Sequence, residues 1–444
     1  MAYDAANNSL EAHWMPFSDN RGFKEDPRLV VRAEGVHLYD HRGGKLIDGS
    51  SGLFCSPAGH CHPKIAEAVA KQMTEYTYVM PFQAGHPGSF ALAEKVARML
   101  PEPMNHVFFT NSGSESVDTA MKIVMAYWNA RGETRPRFVS RERAYHGVNI
   151  GGVSLSGMVK NRDIFHATVP GVMMLRHTYD PNETFIPGGH SEHRGVELAN
   201  DLERMAQTYG GQNIAAVFVE PVAGSTGALT PPKGYLQRLR EICDQYGILL
   251  VFDEVITGFG RLGAPFAAQR YEVEPDIITM AKALTNGSIP MGAVGVKDEI
   301  YETVVGSSRR GLTEFFHGYT YSGHPAACAA GNAMMDIIVE EDLFARAQAL
   351  IPYWEEALMG GLKGHELVRD IRVAGLMAAV EVHPEGGPGL RGTELQKRMF
   401  WNGLSVKFTG DNAILAPQFI AERAHIDEIV EKFRLTLDQM RDNG

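Results

Sequence analysis

Gly247-Ile-Leu-Leu-Val-Phe-Asp253-Glu254-Val255-Ile256-Thr257-Gly258-Phe259-Gly260-Arg261 is an apolar run that ends in two carboxylates and breaks into a glycine-rich turn. The run reads as a strand buried in a sheet. In an open α/β sheet, ligands bind beyond the carboxyl ends of the strands, and Asp253 falls at such an end. An isolated aspartate there is usually no more than a solvated loop residue, so its neighbours decide its meaning.

Working outward, similar runs occur at Val107-Phe108-Phe109, Ala215 to Glu220 and Asp276 to Met280. From about residue 60 to about 325 they alternate with amphipathic stretches, the pattern of a parallel sheet covered by helices. Ser114 to Arg131 places Val117, Ala120, Met121, Val124, Met125 and Trp128 on one helical face. The last third differs: one long helical region from about Pro325 to Leu362, a strand-like stretch from Val368 to Val382, a segment around Leu404 to Pro417 and a charged closing helix. The expected class is α/β, with an N-terminal segment (1–59), a large ligand-binding domain (60–325) and a small α+β domain (326–444) to which the N-terminal segment adds.

Bulk properties narrow the partners. With 444 residues the chain has room for two packed domains, and 44% hydrophobic with 21% charged residues is an ordinary globular mix. The net charge of −11, without a basic run, argues against nucleic acid. No apolar run approaches the ~20 residues that span a bilayer, and Met1 to Trp14 lacks the pattern of a signal peptide. Cys55, Cys61, Cys243 and Cys328 form no Cys-x-x-Cys pair, so neither a disulfide framework nor a zinc ribbon is expected. A cytoplasmic protein is expected, with the sequons at Asn182 and Asn286 as chance matches.

Chemistry emerges when Asp253 is paired with Lys282, which follows the next apolar run in Asp276-Ile-Ile-Thr-Met-Ala-Lys282-Ala-Leu-Thr-Asn-Gly. A lysine to take an aldehyde and an acid to hold a pyridine nitrogen are what pyridoxal phosphate requires. Thr110-Asn111-Ser112-Gly113-Ser114-Glu115 supplies small residues at a helix mouth, either a plain N-cap or a cup of N–H groups and hydroxyls for phosphate. Tyr145, in Arg143-Ala-Tyr-His-Gly147, is either half-buried like many tyrosines or a ring that stacks on the cofactor. His60-Cys61-His62 is set aside as a metal cluster because adjacent side chains on a strand point apart. The glycines of Gly258-Phe-Gly-Arg-Leu-Gly263 lack the βαβ unit and acidic residue of a dinucleotide fingerprint.

Asp253-Glu-Val-Ile-Thr-Gly-Phe-Gly-Arg-Leu-Gly263 with Lys282 downstream resembles the class III pyridoxal-phosphate aminotransferase signature. The resemblance runs from Glu11-Ala-His-Trp-Met-Pro16 to the last helix and is strongest to the ω-amino acid:pyruvate (β-alanine:pyruvate) branch. Asn105 to Glu115, Tyr145 to Asn149, Asn213 to Val217, Pro232 to Leu236 and His317 to Ser322 carry it. It implies fold-type I, with a mainly parallel seven-stranded sheet in the large domain, and a homodimer or homotetramer with active sites at the interface. It implies Lys282 as the Schiff-base lysine and proton shuttle, Asp253 as partner of the ring nitrogen, and Ser112, Gly113 and Ser114 around the phosphate. Thr320 would join that phosphate from the neighbouring subunit. Tyr145 would stack on the ring over Val255 and Ile256, with Glu220 in support. An amine donor and a keto acid, pyruvate, would react in turn.

The chain departs from that branch where substrate is expected. Phe54 stands where the relatives have tryptophan, Lys407 where they have arginine, and Ile414 where they have glutamine. Arginine grips a carboxylate bidentately, whereas lysine is a flexible point charge. The expectation is that Lys407 still pairs with the acceptor carboxylate, in a pocket lined by Phe17, Leu53, Phe54, Phe82 and Ile256 that accepts bulkier or carboxylate-free amines. Competing readings are a class III enzyme using 2-oxoglutarate, an aminomutase or decarboxylase on the same fold, and a non-catalytic relative. The last is at odds with an intact lysine and phosphate cup.

Overall fold

A computed structural model of the chain describes residues 9–442. The first eight residues of the stretch read for a signal peptide lie outside the described residues. The central sheet runs, edge to edge, Met104–Thr110, Gly292–Lys297, Ile277–Met280, Leu249–Asp253, Ile214–Val219, Arg137–Arg141 and Val172–Leu175. Among these seven strands only Gly292–Lys297 runs against the others, pairing antiparallel with both neighbours. Ile214–Val219, Leu249–Asp253 and Ile277–Met280 are buried along their whole length, which explains their unbroken apolar runs.

Alternation along each strand sorts its side chains into two layers. Phe218, Val251 and Ile277 pack against Val117, Ala120, Val124 and Trp128 of the helix Gly113–Ala130. Val217, Leu250 and Phe252 face the other way, into the core layer that holds Leu236 and Leu239 of the helix Tyr235–Tyr246. Helices thus cover both faces. Met125, expected on the buried stripe of the first helix, is exposed.

The last third is more broken than its sequence suggests. The long helical region is two helices, Pro325–Glu340 and Leu343–Leu362, separated where Asp342 takes a left-handed φ of 52°. Such a residue ends one helix and re-aims the next. Val368 to Val382 is a hairpin of Val368–Ala374 and Met377–Val382, turned at Gly375, and it extends into a four-stranded sheet with Asn412–Leu415 and Lys407–Thr409. A second four-stranded sheet joins Val30–Glu34, His37–Asp40 and Lys45–Asp48 to Leu404–Ser405, the last pair being parallel. Among the described residues no helix is long and apolar enough to cross a membrane.

Candidate active site

The carboxyl ends of the central strands converge on one cavity. Asp253 closes Leu249–Asp253, Glu220 follows Ile214–Val219, and Lys282 follows Ile277–Met280 by one residue. Tyr145 lies beyond Arg137–Arg141, and Thr110 ends the strand that leads into the helix mouth. The cavity has a volume of about 120 Å³; Gly113, Ser114, Tyr145, His146, Glu220, Asp253, Val255, Ile256 and Lys282 line it.

Asp253 is fixed from three sides. Its Oδ1 accepts from the Val255 N–H (3.2 Å) and the Thr279 hydroxyl (3.1 Å), and its Oδ2 accepts from His146 Nδ1 (2.8 Å). Thr279 is the register partner of Asp253 on the adjacent strand, which brings the hydroxyl there. The His146 side chain is fully buried, and its Nε2 has no hydrogen-bond partner in the structure. Adjacent in sequence, Glu254 points away: its carboxyl accepts from the Thr257 hydroxyl and the N–H groups of Ala267 and Ala268, holding the start of the helix Ala267–Tyr271.

Lys282 adopts a left-handed φ of 47° at the head of a short 3₁₀ turn. Burial lowers its pKa, opposed by Cys55, Asp253 and Glu220, so the pocket favours a neutral, nucleophilic amine. Glu220 accepts from the Tyr145 N–H (2.9 Å), and burial pushes its carboxyl up to about 7, with His146 pulling it down and Asp253 adding to the rise. The Tyr145 phenol is raised by burial and by those same two carboxylates.

The helix mouth is built for close approach. Ser112 caps Gly113–Ala130 by accepting from the Glu115 N–H (3.2 Å), and Ser114 Oγ accepts from the Val148 N–H (3.1 Å). A side chain on Gly113 would come within 2.9 Å of Val255 Cγ1, so glycine is needed to bring the helix N-terminus against the strand end. Gly147, at φ 98°, passes closer still to Ser114, where a side chain would come within 2.6 Å of Oγ. N–H groups aimed into a cavity at the positive end of a helix of this length suit a phosphate. Together with a fixed carboxylate and a neutral amine, the donor set fits pyridoxal phosphate.

The expected substrate residues are only partly gathered here. Lys407 is in electrostatic reach of the cavity: burial first, and then Lys282, bring its pKa down to about 8 against the opposing pull of Glu220. Ile256 lines the cavity, but Phe54 and Ile414 are buried behind it in one apolar cluster, so they shape the wall from beneath. Phe17, Leu53 and Phe82 are exposed and do not line the cavity of this chain. Thr320 is also exposed and away from the cavity, its carbonyl accepting from the Tyr78 hydroxyl (2.9 Å). Missed by sequence reasoning were His146, beside Tyr145 in the same motif, and Thr279, recoverable only from the register of two strands.

Residues 20–437 match the family Aminotransferase class-III. The chain is 49% identical to the omega-aminotransferase of Caulobacter vibrioides, covering 98% of this chain and 99% of that protein. It is 47% identical to the beta-alanine–pyruvate aminotransferase of Pseudomonas aeruginosa, over 95% and 94% of the two chains. A solved structure of the omega transaminase from Pseudomonas jessenii in complex with PMP superposes with a TM-score of 0.92 at 32% identity, covering 98% of this chain and 99% of that one.

Proposed function

The chain belongs to the class-III aminotransferases, and from that premise we propose that it moves the amino group of an ω-amino acid or primary amine to pyruvate. The observation that carries the reading is the meeting of Lys282, Asp253 and the Gly113–Ser114 helix mouth in one cavity. Pyridoxal phosphate, on which the family depends, supplies a reactive carbonyl and an electron-withdrawing ring. Lys282 would hold its carbonyl carbon, Asp253 its ring nitrogen, Ser112, Gly113 and Ser114 its phosphate, and Tyr145, Val255 and Ile256 its faces.

The chain's own residues then divide the work. The amine of Lys282, whose charged form burial disfavours, would take a proton from the substrate carbon and return it to the carbon on the far side of the transferring nitrogen. Asp253, held by three donors, is kept aimed at the ring nitrogen's place without reorganising during the reaction. Glu220 fixes the Tyr145 backbone and so the ring above the site. Lys407 meets the carboxylate of the keto acid, which must bind where the amine donor has left, so the two substrates alternate.

Thr320, exposed and not part of its own cavity's lining, is assigned to the phosphate of a neighbouring subunit in a homodimer or a dimer of dimers. A cytoplasmic setting agrees with four unpaired cysteines.

The test is a panel of amine donors, with and without carboxylates, offered with pyruvate or 2-oxoglutarate while the cofactor's absorbance is followed. Amine consumption that needs pyruvate, and that is lost in Lys282→Ala, is expected. Turnover without any keto acid would turn the assignment to a mutase or decarboxylase. Turnover with 2-oxoglutarate alone would move the protein to another branch.

A further inference from the structure

The segment that leads into Phe54 is strained and tightly held. Ser51 (φ 47°) and Phe54 (φ 63°) both sit in the left-handed region that side chains avoid. Asp48, 1% exposed, secures them: its carboxylate accepts from the Ser50 N–H (3.0 Å), the Gly52 N–H (2.5 Å), His60 Nε2 (2.7 Å) and the Gln418 amide (3.1 Å). Between these anchors, Ser50 is 2% exposed, and its hydroxyl reaches into the hairpin formed by Lys407–Thr409 and Asn412–Leu415. It donates to the Ile414 carbonyl (2.7 Å) and accepts from the Lys407 N–H (3.1 Å). Lys407 and Ile414 are register partners, so one hydroxyl is interposed between two backbone groups that face each other.

We propose that Ser50 is a positioning residue for acceptor specificity: its hydroxyl sets where Lys407 presents its ammonium group, and so how tightly the keto acid is held. This rests on the reading of Lys407 as the carboxylate's partner. The physical reason is the length and freedom of a lysine. Its stem has no planar fork to fix its direction, so the ammonium position depends on where the backbone starts. That start is pinned by Ser50 from the same segment that carries Phe54 in the wall behind Ile256. Without the hydroxyl, the Lys407 N–H and Ile414 carbonyl can draw together, carrying the lysine with them while both groups stay satisfied. The fold survives such a change, and the address of the charge does not.

Ser50→Ala tests this in the holoenzyme. Three measurements are needed: the KM for pyruvate with a saturating carboxylate-free amine, inhibition by propionate as a non-reacting carboxylate, and the single-turnover rate of the donor half-reaction. Loss of one buried hydrogen-bonded bridge is expected to raise the pyruvate KM and the propionate Ki about five- to tenfold. The donor half-reaction and the unfolding midpoint stay near wild type, and Ser50→Thr restores tight binding. Ser50→Cys, which keeps the volume and weakens both bonds, falls between and serves if the alanine variant folds poorly. Lys407→Met is expected to raise the same two constants, and Ser50→Ala to add nothing in that background. An unchanged pyruvate KM in Ser50→Ala beside a raised one in Lys407→Met overturns the proposal alone. So does an effect of Ser50→Ala that persists in full without Lys407, or one that slows both half-reactions alike. An unchanged KM in Lys407→Met overturns the carboxylate reading, and this proposal with it.

Discussion

Lys407 lies in reach of Lys282 and Glu220, and burial brings its pKa from the ordinary lysine value down to about 8. The ammonium form is complete below that value and is lost as pH rises through it, so the grip on a keto-acid carboxylate weakens in alkaline solution. Above pH 8 the charged fraction falls about tenfold per unit, and the pyruvate KM is expected to rise in step. An arginine stays charged throughout this range, so Lys407→Arg should flatten the rise. The ratio of the two enzymes' KM values across pH 7 to 10 isolates the effect from the titration of Lys282, which both share; a constant ratio would remove Lys407 from acceptor binding. At this scale the sequence singled out Lys282 and Asp253, which the fold brings into one cavity, because each follows an apolar run, a local signal. It did not disclose Ser50, whose partners at 407 and 414 are brought to it only by the folded chain.

Asp253 and Glu254 look alike in the sequence, and the strand makes them different elements of the molecule. Successive residues at a strand end face opposite ways, so Asp253 enters the cavity while Glu254 caps the helix Ala267–Tyr271. A five-residue helix has little stability of its own. Glu254→Ala would leave three buried donors, on Thr257, Ala267 and Ala268, without an acceptor. At about 1 kcal/mol for each, a loss of about 3 kcal/mol is expected in denaturant unfolding of the holoenzyme. Glu254→Gln, which keeps an acceptor oxygen, should lose less; equal losses would argue that the carboxyl's charge, rather than its acceptors, holds the helix. Elements with strong periodicity, the buried strands and the helix Gly113–Ala130, were legible in the amino-acid pattern alone. The break at Asp342 was not, because nothing in the apolar spacing marks a left-handed residue, and neither was the parallel pairing of Leu404–Ser405 with Lys45–Asp48, which joins strands far apart in the chain.

At the scale of the whole molecule, an apolar surface remains unaccounted for. Phe82, Met80, Phe90, Phe316 and Tyr321 are exposed, Phe316 to 91%. The two segments that carry them are packed together: a side chain on Gly318 would meet the Phe82 ring at 2.9 Å, and the rings of Tyr78 and Tyr321 stand 6.1 Å apart. Contiguous exposed aromatics mark an interaction surface, and Thr320 sits among them, beside Tyr78. In the dimer proposed above, this surface would be the twofold interface and Thr320 the residue assigned to the partner's phosphate, with the same contact returned by symmetry. The arrangement predicts complementation between two dead variants. Lys282→Ala removes the reacting amine, and Thr320→Asp places a negative charge against the partner's phosphate. In a mixed dimer, the subunit that keeps Lys282 receives an intact Thr320 from its neighbour, so one of the two sites is whole. Random pairing makes about half the dimers mixed, and co-expression of the two variants should therefore recover about a quarter of wild-type activity. If Thr320 served its own subunit, every site in the mixture would carry one lesion or the other, and activity would stay at the level of the separate variants.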